Sequence, residues 1–526
     1  MRIDALNLPG LTGLATAAAN DAANEAPATY VAHVDTATWS RVAAVAHESG
    51  ARLISMWGAE ARDGTHTVSA AYAADDGLLW VRLPLGNASS GASEYPDLST
   101  RFPCAIRMQR AVHDLSGLRA GGAGDVRPWL NHGNWPADYF PLRQAVSGIE
   151  RFESHEADYA FTRVEGDGVH EIAVGPIHAG TIEPGHFRFS VVGEKVLRLE
   201  ERFGYAHRGI ERQFERTPAL AGHRLAARIA GDSSVAFAWA YCMALERALG
   251  TTIPPRAQWL RALLLERERV ANHLGDLGAL GNDAGFAFGL AQFSRMKEDW
   301  LRLNERAFGH RYLFDAVEPG GLPRDLDAQH ADAILTQCER IGHEVRSMRR
   351  IYDDHAGLQD RFARTGTLAP AVAVRLGVCG LAARASGAAM DLRVDYGPTP
   401  YREIGARPAS DARGDVAARV AVRFREVEES LRQIRAIIAG LPAGSVAAHP
   451  DTACAPSYGA GWVEGWRGDV LVALETTGDG MLARCHCHDP SWQNWPAIEV
   501  AMIGNIVADF PLINKSFNLC YAGHDL

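Results

Sequence analysis

The spacing of apolar positions divides the chain into a strand-rich beginning, a long helical middle and a short strand-rich return. WSRVAAVAHESG (39–50) has the period of a helix that closes at Gly50. ARLISMWGAEA, HTVSAAYAA and GLLWVRLPL alternate or run apolar, as strands do. FRFSVV and KVLRLEERF alternate polar and apolar residues like half-buried strands. The 3.6-residue period then predicts helices over 209–220, 234–249, 255–280, 292–313, 326–358, 369–389 and 414–440. Strands return over 458–490, with a hairpin turn at Gly478-Asp479-Gly480. A last helix is expected over 496–508. Residues 1–28, broken by Pro9 and Gly10, read as a flexible leader. The Gly-, Pro- and Trp-rich stretch 117–143 reads as an irregular arm that wraps onto another surface.

Composition narrows the class. Of 526 residues, 47% are hydrophobic and 22% charged, which is ordinary for a globular protein. A net charge of −10 argues against nucleic-acid binding. Eight cysteines (Cys104, Cys242, Cys338, Cys379, Cys454, Cys485, Cys487 and Cys520) have no framework spacing, which points to a reducing compartment. No apolar run approaches a membrane span, so membrane attachment is expected through partner subunits. There is no Walker loop, no strand-coupled GxGxxG and no iron–sulfur ligand spacing.

Three segments carry a family resemblance: GPIHAGTIEPGHFRFSVVGEKVLRLEERFGYAHRGIE (175–211), RIAGDSS (228–234) and HDPSWQNWP (488–496). With ERERVANHLGDLG, LAARASGAAMDLR and GDVAARVAVRFREVEESLRQI between them, they resemble [NiFe]-hydrogenase large subunits and the D-type, quinone-site subunit of complex I. Residues 29–145 resemble the C-type subunit of complex I, fused ahead, as in the formate hydrogenlyase large subunit and related membrane-bound hydrogenases. The resemblance implies an α+β fold. A leader (1–28) would precede an α/β C-type domain with its arm (29–145). A mostly helical, hydrogenase-large-subunit-like domain with small sheets would span 150–526.

The departure from the family is chemical. Hydrogenases hold nickel and iron with four thiolates, whose soft sulfur suits those metals. The matching positions here are Ala230, Ser233, Ser491 and Asn494. Alanine supplies no ligand and neutral Ser and Asn are poor replacements, so no metal is expected on this chain.

Glu183 matches the glutamate that passes protons to the hydrogenase metal, and His178 the histidine that contacts the quinone headgroup in complex I. Both also read as loop residues bonded to local backbone. The complex I site adds a tyrosine, but here His223-Arg224-Leu225 is followed by Ala226, Ala227 and Arg228. Arg228 and the Ser491–Asn494 turn are expected to stand opposite Glu183 and His178 across the cavity left by the metal, with Asp232 also around it. Glu266, Arg269 and His273 recur at i, i+3 and i+7 on one helical face, where Glu266 and Arg269 can pair. That face is either solvated or turned to an iron–sulfur partner, which the resemblance favours. Arg384, Asp391 and Arg393 match a motif near the same cavity and serve either proton gating or packing. In HRGIE, Arg208 and Glu211 can pair across a turn beside His207 and Gly209. Cys485-His486-Cys487-His488 would place two ligands on each face of a strand, short of a closed zinc site.

The resemblance implies a subunit of an oxidoreductase complex that couples electron transfer to ion movement, with quinone or NADH-linked activity in the whole complex. It implies an iron–sulfur small (B-type) subunit, membrane-arm antiporter-like subunits, a peripheral place on the cytoplasmic face, and a quinone as one candidate acceptor. A non-catalytic scaffold is the alternative, and an active hydrogenase is a third reading set aside by the ligands. A scaffold should fill the cavity around His178, Glu183, Arg228 and Asp232, whereas an enzyme should keep it open and polar.

Overall fold

Alternation in the first unit becomes a five-stranded sheet. In the computed structural model, which describes residues 1–14, 27–87, 93–147, 149–155, 159–451 and 455–526, its order is Thr12–Gly13, Thr29–His33, Gly77–Asn87, Thr65–Ala74, Arg52–Glu60. Thr29–His33 runs parallel to Gly77–Asn87 and the other pairs are antiparallel. The helix Thr36–Glu48 starts at Asp35, whose carboxylate accepts the Thr38 N–H and satisfies an end donor. It packs on the sheet together with the helix Ala105–Ser116.

The sheet's other face buries Ile54, Trp57, Leu78 and Trp80 against Ala460, Trp462, Leu471 and Ala473. Those belong to a three-stranded antiparallel sheet, Tyr458–Glu464, Asp469–Thr476 and Leu482–His488, with its hairpin at the expected turn. Arg52–Asp469 (2.7 Å) and Arg82–Glu475 (3.0 Å) tie the two sheets together. Behind the second sheet lies the helix Ser234–Leu249. A Cβ at Gly459 or Gly461 would fall 1.9 Å from the carbonyls of Ala244 and Ala240. Glycine therefore lets this helix rest directly on strand backbone. A third sheet pairs Val169–Val174, His186–Val192 and Lys195–Arg202.

The 29-residue helix Pro255–Asp283 forms the axis of the helical part. It touches the helices Ala287–Phe308, Val416–Gly440 and Phe510–Phe517. Helix Ser234–Leu249 matches the periodic reading, but several others differ, among them 209–220, which is helical only over Ile210–Phe214. The 369–389 segment splits into Pro370–Leu376 and Gly380–Arg384 because Gly377 takes a left-handed cap (φ 71°). The last predicted helix starts earlier, at Ser491–Ala501, where Asp489 accepts the Ser491 N–H at 2.8 Å, and a separate helix Phe510–Phe517 follows.

Two expectations about irregular segments are corrected. The leader is anchored at its start. The Met1 ammonium pairs with Asp75 at 3.0 Å, Asp76 accepts the Ile3 N–H, and Met1, Ile3, Leu6 and Leu8 are buried. The leader's residues 15–26, and Cys454, lie outside the described residues. The arm wraps onto this same chain. Asp114 accepts the N–H groups of Trp129, Leu130 and Asn131, His132 bonds the Phe203 carbonyl at 2.7 Å, and Arg127 pairs with Glu200 at 2.7 Å. Trp129 of this arm is buried against Phe203 and His524 of the second unit.

Candidate functional site

A cleft of about 840 Å³ opens beside the first degenerate segment, and the Ser491–Asn494 turn, expected on its far side, does not line it. One wall is the loop carrying His178 and Glu183, and another is Ala230, Gly231 and Asp232 ahead of the helix Ser234–Leu249. The floor is one face of the helix Pro255–Asp283 (Asn272, Gly275, Asp276, Ala279, Asp283), and residues 510–522 close the far side.

Glu183 is exposed at the cleft, and its Oε2 accepts the Ala522 N–H at 2.7 Å. Partial burial raises its pKa, against the lowering pull of that N–H and of Arg208. Arg208, rather than the expected Arg228, is the cation that acts on it. His178 contacts the Pro176 carbonyl through Nδ1 (3.2 Å) and the Tyr521 hydroxyl through Nε2 (3.3 Å). Tyr521 was missed because it stands near the chain's end, far from the HRL segment; only folding brings it to His178. Burial pushes its phenol pKa up.

The other two candidates separate. Asp232 lines the cleft in a bidentate pair with Arg467 (2.9 and 2.6 Å). Burial opposes its ionisation, but the guanidinium wins and holds its carboxyl low. Arg467 also stacks on Trp466, with its guanidinium 3.9 Å from the ring centroid, and no sequence motif pointed to it. Arg228 does not line the cleft. It pairs with Asp315 at 2.7 Å and its side chain is 45% exposed, because the turn at 228–231 sends it outward.

The four degenerate positions are absorbed into packing. Ala230 lines the cleft. Ser233 Oγ lies 3.4 Å from the Arg467 guanidinium. Ser491 Oγ accepts the Cys520 N–H at 2.9 Å. Asn494 accepts the Cys379 N–H (3.0 Å) and donates to its carbonyl (3.3 Å). The remaining oxygens are thus engaged, and the Arg467 guanidinium lies against Ser233. These residues do not fit a nickel–iron centre. Among the described residues, no group of three or more His, Cys, Asp or Glu is arranged to hold a metal ion.

The second expected group is sealed away from any partner. Glu266, Arg269, His273, Arg384, Asp391 and Arg393 are all buried. Glu266 accepts from Arg393 (3.1 Å), Arg269 (3.2 Å), Tyr401 (2.8 Å) and Ser430 (2.6 Å). Arg393 also pairs with Asp391 at 2.6 Å. Arg384 bridges Glu426 (2.8 Å) and Glu464 (2.7 Å), and Glu426 bonds His273 at 2.7 Å. The Glu266–Arg269 pair was legible from spacing; Glu426 and Glu464 come from distant segments. Burial pushes the Glu464 carboxyl up to about 7, against the pull of Arg384. Burial also opposes the charge on Glu426, but Arg384 and His273 keep it well below the usual carboxylate range.

Glu211 does not pair with Arg208. It binds Arg484 (2.9 Å) and His486 (2.6 Å), while Arg208 donates to the Ile229 carbonyl at 2.7 Å. In the strand Leu482–His488, His486 stacks on Trp57 and bonds Ser55, and His488 bonds Gln493, so both imidazoles have protein partners. The described residues contain no helix long and apolar enough to cross a membrane.

Comparison with known proteins matches this geometry to a family. A family described as the respiratory-chain NADH dehydrogenase 49 Kd subunit matches residues 283–460, and one described as the 30 Kd subunit matches residues 32–151. The chain is 30% identical to formate hydrogenlyase subunit 5 of Escherichia coli (strain K12) over 454 residues, 85% of this chain and 79% of that protein. It is 31% identical to hydrogenase-4 component G of the same organism over 443 residues, 82% and 76% of the two chains. A solved chain of the membrane-bound sulfane sulfur reductase, an archaeal respiratory membrane complex, superposes with a TM-score of 0.65 at 25% identity, covering 68% of this chain and 99% of that one.

Proposed function

We propose a function from one premise: the chain belongs to the [NiFe]-hydrogenase large-subunit and complex I 49-kDa family, with a 30-kDa-type unit fused ahead. It is a subunit of a membrane-bound respiratory-type complex. Within that complex its cleft is the site where an electron acceptor is reduced and protonated. Electrons arrive from an iron–sulfur small subunit, and membrane-arm subunits hold the assembly at the cytoplasmic face.

The observation that carries this reading is the cleft itself. A scaffold gains stability by closing such space with side chains. Here Ser233, Ser491 and Asn494 are packed, yet beside Ala230 the chain keeps about 840 Å³ lined by His178, Glu183, Asp232 and Arg467. Burial raises the Glu183 pKa above the ordinary carboxylate value, the direction a proton-exchanging carboxyl needs. One of its oxygens accepts the Ala522 N–H, and the side chain is exposed to the cleft. Asp232 and Arg467 neutralise one another and set the wall. A quinone acceptor is a second reading, favoured by the His178 imidazole and the Tyr521 hydroxyl, which lie within 3.3 Å of each other.

The test is Glu183→Gln in the assembled complex, with donor-to-acceptor flux normalised to assembled complex. The expected loss is about tenfold or more, the low end for a missing proton-transfer group. Unchanged flux would return the chain to the scaffold reading.

A further inference from the structure

The chain carries its positive charge almost wholly on arginine: of 53 Lys and Arg residues, only Lys195, Lys297 and Lys515 are lysines. Two of those three line the cleft. They come from the helices Ala287–Phe308 and Phe510–Phe517, which both pack on the long helix forming the floor. Both are half-buried, and neither has a carboxylate within ion-pair distance among the described residues. Lys515 has one hydrogen bond, to Asn518 Oδ1 at 3.3 Å.

The Lys297 ammonium has a seat. A Cβ built on Gly275 would lie 2.8 Å from its Nζ. Gly275 is inside the helix Pro255–Asp283, where glycine is less favourable than alanine. Its backbone lies outside the left-handed region, so no turn demands it. The missing side chain makes room for the ammonium.

The other charges of the cleft are accounted for. Asp232 is taken by Arg467, and Asp276 by Arg423 (3.0 Å) and Asn518 (2.7 Å). Glu183 is held by the Ala522 N–H, with Arg208 nearby. Asp283 has no ion pair among the described residues; burial raises its pKa, against the pull of Lys515, and Lys297 adds to the pull of Arg467 on Asp232. The two ammonium groups thus feel Asp283 and Asp232 through space, but among the described residues neither is tied up in a direct ion pair, so both keep donors for a ligand. A lysine is a compact charge on a flexible stem and can follow a small ligand, whereas arginine's fork demands a planar partner.

We propose that the cleft binds a small dianion between Lys297 and Lys515. The ligand class is a compact inorganic or carboxylic dianion. The inference rests on the reading of the cleft as the reacting site for its role, but binding is measurable without turnover.

The test is calorimetric titration of the purified complex at fixed ionic strength with two probes, thiosulfate and malonate. The expected result is one-to-one binding of at least one probe, weakened about tenfold or more by Lys297→Gln and by Lys515→Gln, as for loss of a charge-assisted contact. Gly275→Ala, which displaces the Lys297 ammonium, should weaken it too. Lys195→Gln should not. Binding of thiosulfate alone would assign an inorganic ligand, and of malonate alone a dicarboxylate. No binding of either probe, or equal weakening by Lys195→Gln, would overturn the proposal. Intact binding with full flux in Glu183→Gln would sink the proton-transfer role and leave the anion site standing. Absent binding with a tenfold flux loss would do the reverse.

Discussion

One helix, Pro255–Asp283, carries two kinds of charged surface. One face presents Glu266, Arg269 and His273 to a closed network, in which the side chains of Glu266 and Arg269 have no exposure. Another face presents Asn272, Gly275, Asp276 and Asp283 to an open cleft. The residue types are similar; what differs is whether partners saturate the charge. On the sealed face, guanidinium forks and carboxylates satisfy one another, and nothing is left to meet a ligand. At the open face, two lysines and Asp283 make no direct ion pair among the described residues and border free volume. Charged residues on a helix thus say little about chemistry until their partners are counted.

The comparison breaks most visibly at Arg384. Arg384→Ala should leave Glu426 and Glu464 buried without their shared cation and cost about 3–5 kcal/mol. A large fall in thermal midpoint, or loss of folded chain, is the expected readout. A near-wild-type midpoint would show that the sealed face is not structural.

The next effect is pH-dependent. Glu464 binds its proton more tightly in the folded chain, with its pKa raised from 4.5 to about 7. That contribution is fully present below pH 4.5 and is lost as pH rises through about 7. It amounts to about 3 kcal/mol at most, shared with its coupled neighbours. Denaturant titrations across this range should show stability falling with pH in the wild type and a flatter profile in Glu464→Gln.

Asn494→Ala is expected to cost less, about 1–3 kcal/mol, because the Cys379 N–H and carbonyl lose their partner. A chemical melt of the variant measures it. A neutral result would mean that the degenerate position is not held by packing.

Glu183→Gln should have the smallest effect on stability, within about 0.5 kcal/mol, because the side chain is exposed and keeps an acceptor for Ala522. Paired with its expected tenfold loss of flux, this would separate a working residue from a packing residue within one protein. A large destabilisation would blur that separation.

Periodicity determined the helices Ser234–Leu249 and Val416–Gly440, the alternating strands and the 478–480 hairpin, because local spacing alone decides which face of an element is apolar. The ligand chemistry at Ala230, Ser233, Ser491 and Asn494 was legible too, since a residue type either supplies a thiolate or does not. Spacing along one helix also gave the Glu266–Arg269 pair. Tertiary structure alone decided the rest. It turned Arg228 outward to Asp315 and brought Arg467 to Asp232, Tyr521 to His178, and Lys515 to the cleft that holds Lys297. It placed the arm on the chain's own second unit and anchored Met1 at Asp75. These contacts join residues tens to hundreds of positions apart. Their energies depend on burial and on which counter-charge arrives, and no local pattern encodes either until the core has closed.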